Sequence, residues 1–258
     1  MLRPSEPAAF EIVNAEGRAP IVLICDHASH RIPEALGDLG VSKADRLTHI
    51  GWDIGAESVA RVLSRALDAP LVVAGYSRLV IDLNRPPSVP SAFPTTSGGI
   101  EIPGNRGLTE ADRSARYEAL FQPYHSTIAR MLEERRALRD GAGPILISVH
   151  SFTPSLLGQA RPWPIAMLYG EDTRLAHRFL AALAALSVGP VGDNEPYRVT
   201  RESDYALPVH GLDRGLLHTA FEIRQDGIDT PAGAERWANV ILRAFSSFAR
   251  EVGVELRL

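Results

Sequence analysis

Two mostly apolar stretches, each running into a histidine, constrain this chain most. Ile21-Val22-Leu23-Ile24-Cys25-Asp26 leads to His27, and Ile145-Leu146-Ile147-Ser148-Val149 leads to His150. Runs of this length, rich in Val, Ile and Leu, read as strands buried on both faces, which is the environment inside a parallel sheet. In open α/β sheets, ligands bind beyond the carboxyl ends of such strands. A single histidine there is ordinarily a hydrogen-bonded edge residue. Two of them, with carboxylates and arginines closing other runs, point to a metal-assisted hydrolase.

Further strand-like runs cover about 70–74, 78–83, 164–169 and 218–224, beside 20–26 and 144–150. Helical patterns alternate with them. Val59, Val62, Leu63 and Leu67 share one helical face. Thr109 and Asp112 predict a capped helix start, followed by the apolar stripe Tyr117, Leu120, Phe121, Tyr124, Ile128, Met131 and Leu132. Pro123 falls inside that stripe and should kink or divide the helix. A third helix follows Asp172 through Leu175, Phe179 and Leu183, and a fourth starts at Thr230-Pro231 and passes Trp237, Val240, Ile241 and Phe245. This alternation predicts an α/β fold: a mostly parallel mixed sheet between two helical layers, one domain over 1–258. Two long irregular segments, 85–108 and 187–217, leave the strand ends that carry the polar residues and read as covering loops.

Composition narrows the chemistry. A formal net charge of −4 gives no reason to expect nucleic acid or an anionic membrane as partner. One cysteine, Cys25, excludes an intramolecular disulfide and a cysteine-rich zinc cluster, and its place in an apolar run marks a buried thiol. No apolar run has the length of a membrane span and the N-terminus lacks a signal pattern, so a cytoplasmic enzyme is expected. There is no Gly-x-Ser-x-Gly elbow, phosphate loop or dinucleotide glycine motif.

The remaining candidates suit a metal site. Without thiolates, a zinc ion takes imidazole nitrogen and carboxylate oxygen. His27 and His30 have a chelating spacing if the strand turns at once. Asp53, in Gly51-Trp52-Asp53-Ile54-Gly55, opens a helix, where an aspartate is ordinarily an N-cap, but it is also a candidate third ligand. Arg78-Leu79-Val80-Ile81-Asp82-Leu83-Asn84-Arg85 reads as a strand with one wet face, and the fork of Arg78 or Arg85 matches a substrate carboxylate. Glu222, between Phe221 and Ile223, must be either paired with arginine (Arg224 or Arg85) or poised as a general base.

The blocks Asp26-His27-Ala28-Ser29, Arg78 to Pro86, Ile102-Pro103-Gly104-Asn105, His150-Ser151-Phe152-Thr153-Pro154, Gly192 to Tyr197 and Glu222-Ile223-Arg224-Gln225-Asp226 together resemble the N-formylglutamate amidohydrolase family, over about residues 20–245. The resemblance implies a three-layer zinc-carboxypeptidase-like fold, related to aspartoacylases, with one zinc ion. It implies hydrolysis of an N-formyl or N-acyl amino acid, N-formyl-L-glutamate first, in amino-acid metabolism by way of histidine degradation. His27 and His150 then stand as metal ligands, with Asp53 or His30 between them. Asp53 is favoured because a carboxylate keeps the charge balance of related sites. Glu222 stands as the base, Arg85 or zinc as the stabiliser of the oxyanion, and Asn84 and Arg85 as the pair for the substrate carboxylate or carbonyl. Arg78, Arg224, Asn105 and Asn194 are further substrate-binding candidates. Another N-acyl amino acid or small peptide as substrate, or a non-catalytic protein binding a small acid, are the alternatives.

Overall fold

The apolar runs become the middle of a seven-stranded sheet. The computed structural model describes residues 1–139 and 143–256. Its main strands are β1 (Phe10–Val13), β2 (Ile21–Cys25), β3 (Leu71–Ala74), β4 (Ile145–Phe152), β5 (Ile165–Leu168), β6 (Val191–Asp193) and β7 (His218–Arg224). They pair in the order β1-β3-β2-β4-β7-β5-β6. Strands β3, β2, β4 and β7 are mutually parallel; β1 runs antiparallel at one edge. At the other side β5 is antiparallel to β7 and parallel to β6. At four and three residues, β1 and β6 are too short to stand out in the sequence.

Because side chains alternate along a strand, the central strands feed two cores. Ile21, Leu23, Ile145, Ile147, Val149, Phe221 and Ile223 meet helices α1 (Ala56–Leu67), α4 (Ala176–Ala185) and α5 (Pro231–Ser246) on one face. Val22, Ile24, Val72, Leu146 and Ala220 meet the other layer, where α2 (Glu110–Arg116) leads into α3 (Gln122–Glu134). Both layers were expected. Emptying a position such as Leu63, 1% exposed on α1, by Leu63→Ala would cost roughly 2–5 kcal/mol.

Local chemistry sets the helix ends. Thr109 and Asp112 form a reciprocal capping box, and Thr230 accepts from Gly233 N ahead of Pro231. Pro123 disturbs its helix without breaking it: helical backbone runs on through it, but the preceding turn, Tyr117–Phe121, widens to π geometry, where the regular hydrogen-bond ladder is already interrupted.

One expected strand is absent. Residues 78–83 form turns and irregular backbone, not a strand, and pair with no strand of the sheet. The segment's carbonyls are taken by side chains: Arg116 donates to Val80 O (2.8 Å), Asn105 to Leu79 O (2.8 Å), and His125 Nε2 lies 2.8 Å from Leu83 O. The segment packs over the α3 face of the sheet. Among the described residues, no helix is long and apolar enough to cross a membrane.

Candidate metal centre and active site

Register builds the site. Parallel pairing sets His150 of β4 opposite Glu222 of β7, and Ser148 opposite Ala220. Counting by twos from Leu146 and Ala220, which face α3, puts Ser148, His150 and Glu222 on that same face. Toward the carboxyl ends the α3 layer gives way to a cavity of about 380 Å³, lined by these residues with Leu168, His27, Asp53 and Arg78. Asp53 is delivered by a backbone bond, its N–H donating to His27 O at 2.8 Å. It does not cap α1. Gly55 is the N-cap there, with φ of 80° and no room for a Cβ, which would lie 2.2 Å from Ile228 O. The Asp53 side chain is therefore free for other partners.

Those partners are two imidazoles. His150 Nδ1 lies 2.8 Å and His27 Nδ1 3.4 Å from Asp53 Oδ2. One ligand atom from each of the three residues falls within 4.8 Å of the others, and all three residues are buried. The far side of each ring is held as well. His27 Nε2 is 2.7 Å from Asp82 Oδ1, and His150 Nε2 is 2.8 Å from Ser148 Oγ and 3.5 Å from Asp26 Oδ2. Arg78 forks Asp82 Oδ2 through Nε (3.1 Å) and Nη2 (2.7 Å), and Tyr124 donates to Asp26 at 2.7 Å. A carboxylate behind each imidazole is the arrangement that fixes tautomer and raises basicity in metal-bound histidines. His27 Nδ1 is buried without a hydrogen-bond partner, so the donor set fits a divalent cation at the three inward-facing atoms.

The electrostatics agree. Burial and Arg78 oppose a charged His27, yet Asp82 and Asp53 outweigh them and raise its pKa. Burial likewise opposes charge on His150, and hydrogen bonds to Asp26 and Asp53 raise it well above its ordinary value. Against the pull of burial, Asp82 is held well below the carboxylate range by Arg78 and His27. Glu222 differs: burial, reinforced by the charge of Asp53, pushes it up to about 7. Its Oε2 is buried without a partner, so it is not the arginine-paired carboxylate that was one of its two expected forms.

Asn84 and Arg85 border the same cavity and are tied to residues 203–206 of the 187–217 segment. Asn84 Oδ1 accepts from Ala206 N at 3.0 Å and its Nδ2 donates to Asp204 at 3.2 Å; Arg85 donates to Ser203 O and faces Asp204 at 3.5 Å. Four expected site residues lie elsewhere. His30 is exposed, edge-on to Trp52 at 5.2 Å, and is not in the cluster. Asn105 is buried among Leu79 O, Pro94 O and Arg116, where it ties loops together. Asn194 accepts from Tyr169 N at 2.9 Å beside β6. Arg224 is paired with Asp226 and donates to Arg161 O at 3.1 Å. Asp82 and Asp26 went unassigned in the sequence, although each lies one or two positions from an assigned residue; a carboxylate inside an apolar run was the available signal.

A family model described as N-formylglutamate amidohydrolase matches residues 19–228. The chain belongs to this family. Among N-formylglutamate amidohydrolase relatives, an N-formylglutamate deformylase of Pseudomonas putida is 31% identical over 161 residues, which is 57% of this chain and 58% of that protein. The chain thus spans less than two thirds of that relative in the match. The crystal structure of gene product Atu2144 from Agrobacterium tumefaciens superposes with a TM-score of 0.89 at 37% identity, covering 96% of this chain and 99% of that one. The N-formylglutamate amidohydrolase from Ralstonia eutropha JMP134 shares the fold, with a TM-score of 0.63 at 19% identity over 95% of this chain and 99% of the other.

Proposed function

We propose that this protein is a zinc-dependent amidohydrolase that cleaves N-formyl-L-glutamate to L-glutamate and formate. Family membership supports the reaction class, and the name of the Pseudomonas putida relative supports the substrate. The observation that carries the mechanism is Glu222. It has an unpartnered oxygen and a pKa near neutrality, and it sits in register with His150 at the wall of the cavity that His27, Asp53 and His150 share.

When bound by His27, Asp53 and His150, a divalent cation such as zinc supplies Lewis acidity, polarising the scissile carbonyl and acidifying water. Glu222 takes a proton from the attacking water as its oxygen bonds to the formyl carbon. Glu222 then returns that proton to the amide nitrogen as the C–N bond breaks, so formate and the free amino group leave with atoms balanced. A pKa near 7 suits a group that must both accept and give a proton at neutral pH. Asp82 and the Asp26–Ser148 pair hold the two imidazoles in orientation. Asn84 and Arg85, which line the same cavity, hold the substrate's α-carboxylate or carbonyl oxygen, and Arg78 adds positive charge to that lining.

Formate release from N-formyl-L-glutamate tests this directly, measured before chelation, after it, and with zinc restored. Activity lost and then recovered is the expected result. Zinc-loaded protein that releases no formate would move the substrate to another N-acyl amino acid. Failure to take up zinc would overturn the metal assignment.

A further inference from the structure

Arg161 follows a small hairpin (Ser155–Leu156 paired with Gln159–Ala160) at the end of β4, and is 8% exposed. Its backbone is fixed twice: its N–H donates to Pro154 O at 2.8 Å and its carbonyl accepts from Arg224 Nη1 at 3.1 Å. Its side chain is not answered in this way. Among the described residues, no carboxylate lies within 4.0 Å of the guanidinium and no group accepts a hydrogen bond from it, and Nη1 is buried without a partner. The two other arginines buried as deeply behave differently. Arg116 donates to Val80 O, Gly104 O and Asn105, and Arg135 to Met131 O, Ala15 O and Gly17 O.

An unpaired buried cation is costly, and aromatic faces offset only part of the cost. The Arg161 guanidinium lies 5.8 Å from the Phe152 ring and 5.0 Å from the Tyr197 ring, and both rings line the cavity. His49 lines the cavity too and has a buried Nε2 without a partner; after burial, the charge of Arg161 is the strongest influence on that imidazole. A guanidinium without a counter-ion, packed on two cavity-lining rings, therefore lies close to a cavity-lining imidazole nitrogen that also lacks a partner. Of the arginines that line the cavity, Arg78 forks Asp82, Arg85 faces Asp204 and is the one assigned above to the first carboxylate or the carbonyl, and Arg198 is exposed.

We infer that Arg161, assisted by His49, is the subsite for the second carboxylate of a dicarboxylic N-acyl amino acid. For N-formylglutamate, the reading on which this assignment rests, that group is the side-chain acid. The planar fork of arginine matches a carboxylate with two hydrogen bonds. A substrate with a neutral side chain leaves the guanidinium buried and unpaired, so selectivity arises as a penalty on the wrong substrate. Arg224 is then a positioning residue, holding the carbonyl of Arg161 from the end of β7.

The test compares N-formyl-L-glutamate with N-formyl-L-glutamine, which differ in side-chain charge and little in shape. Wild type should favour the glutamate by about 100-fold in kcat/KM, and R161Q should bring the ratio to within about threefold. R161K, a cation without the fork, should fall between. The ratio does not depend on how much of a variant is folded, so a merely structural role leaves it unchanged, and an unchanged ratio in R161Q overturns the subsite. If wild type cleaves neither compound, calorimetry with glutarate and glutaramate separates the two readings. A preference for glutarate present in wild type and absent in R161Q keeps the subsite while the hydrolysis reading fails. No such preference sinks both. Cleavage of N-formylglutamate with its selectivity intact in R161Q keeps the hydrolysis reading and rejects the subsite.

Discussion

The protein buries two pairs of imidazoles on the same side of its sheet, and they differ in almost everything but spacing. The His27 and His150 rings are 5.1 Å apart and the His125 and His210 rings 5.2 Å. The first pair is ringed by Asp26, Asp53 and Asp82, and both members are raised in pKa. The second pair stacks, with His125 Nδ1 3.0 Å from His210 Nε2, beside Phe121 and Tyr205. There burial dominates, lowering His125 to about 4 and His210 to about 3. Burial alone makes a histidine neutral and structural. Burial with carboxylates makes a place for positive charge, whether protons or a metal ion.

The contrast can be broken most severely at Asp53. D53N should abolish tight zinc binding by the purified protein, as measured by metal analysis. In the metal-free variant, NMR titration should find His27 and His150 shifted downward, toward the behaviour of the other pair. Retained stoichiometric zinc would refute the assigned ligand set. E222Q leaves the three ligand side chains in place, so zinc content should hold while kcat falls about 10²–10⁴-fold; a smaller loss would remove Glu222 from the proton transfers. D82N acts behind the ligand and should weaken zinc affinity about 10–100-fold in a chelator competition.

The mildest change is made in the other pair. His125 and His210 have lowered folded pKa values, so the unfolded chain takes up protons first as pH falls below 6.5. Their neutral forms support full stability above that value, and stability is lost as pH drops toward 4 and 3. His125 alone accounts for roughly 3 kcal/mol if the whole range is crossed. H210L should cost about 1 kcal/mol at pH 7, since His125 Nδ1 loses its partner. It should then lose less stability than wild type between pH 6.5 and 4.5 in urea titrations. Parallel losses in the two proteins would show that this pair does not govern the acid limb.

Much of the frame was legible in the sequence because strand patterning is local. The runs ending at His27, His150 and Glu222 announced both the central strands and the edge where the polar groups gather. The segment 78–83 misled for a physical reason: its apolar residues resemble a strand, but its hydrogen-bond partners are Arg116, Asn105 and His125, distant side chains that no local pattern reveals. A strand there would set Asp82 on a wet face, whereas the turns set it against His27 and Arg78. Asn105 and Asn194 belong to distinctive blocks yet hold loops, because a polar residue in a turn is as often satisfying backbone groups as awaiting a ligand. Arg161 gave no signal, since its isolation is visible only after every possible counter-ion has been placed.

The last main strand in the chain, β7, is not at the edge of the sheet but between β4 and β5. A chain emerging from the ribosome therefore cannot close its sheet in order of synthesis: β5 and β6 must wait unpaired with the first half until residues 218–224 appear. The residues that gather around Asp53 are all made by then, whereas Glu222 arrives on the closing strand itself. A product truncated before residue 218 would lack both the proposed base and the strand that joins the two halves of the sheet.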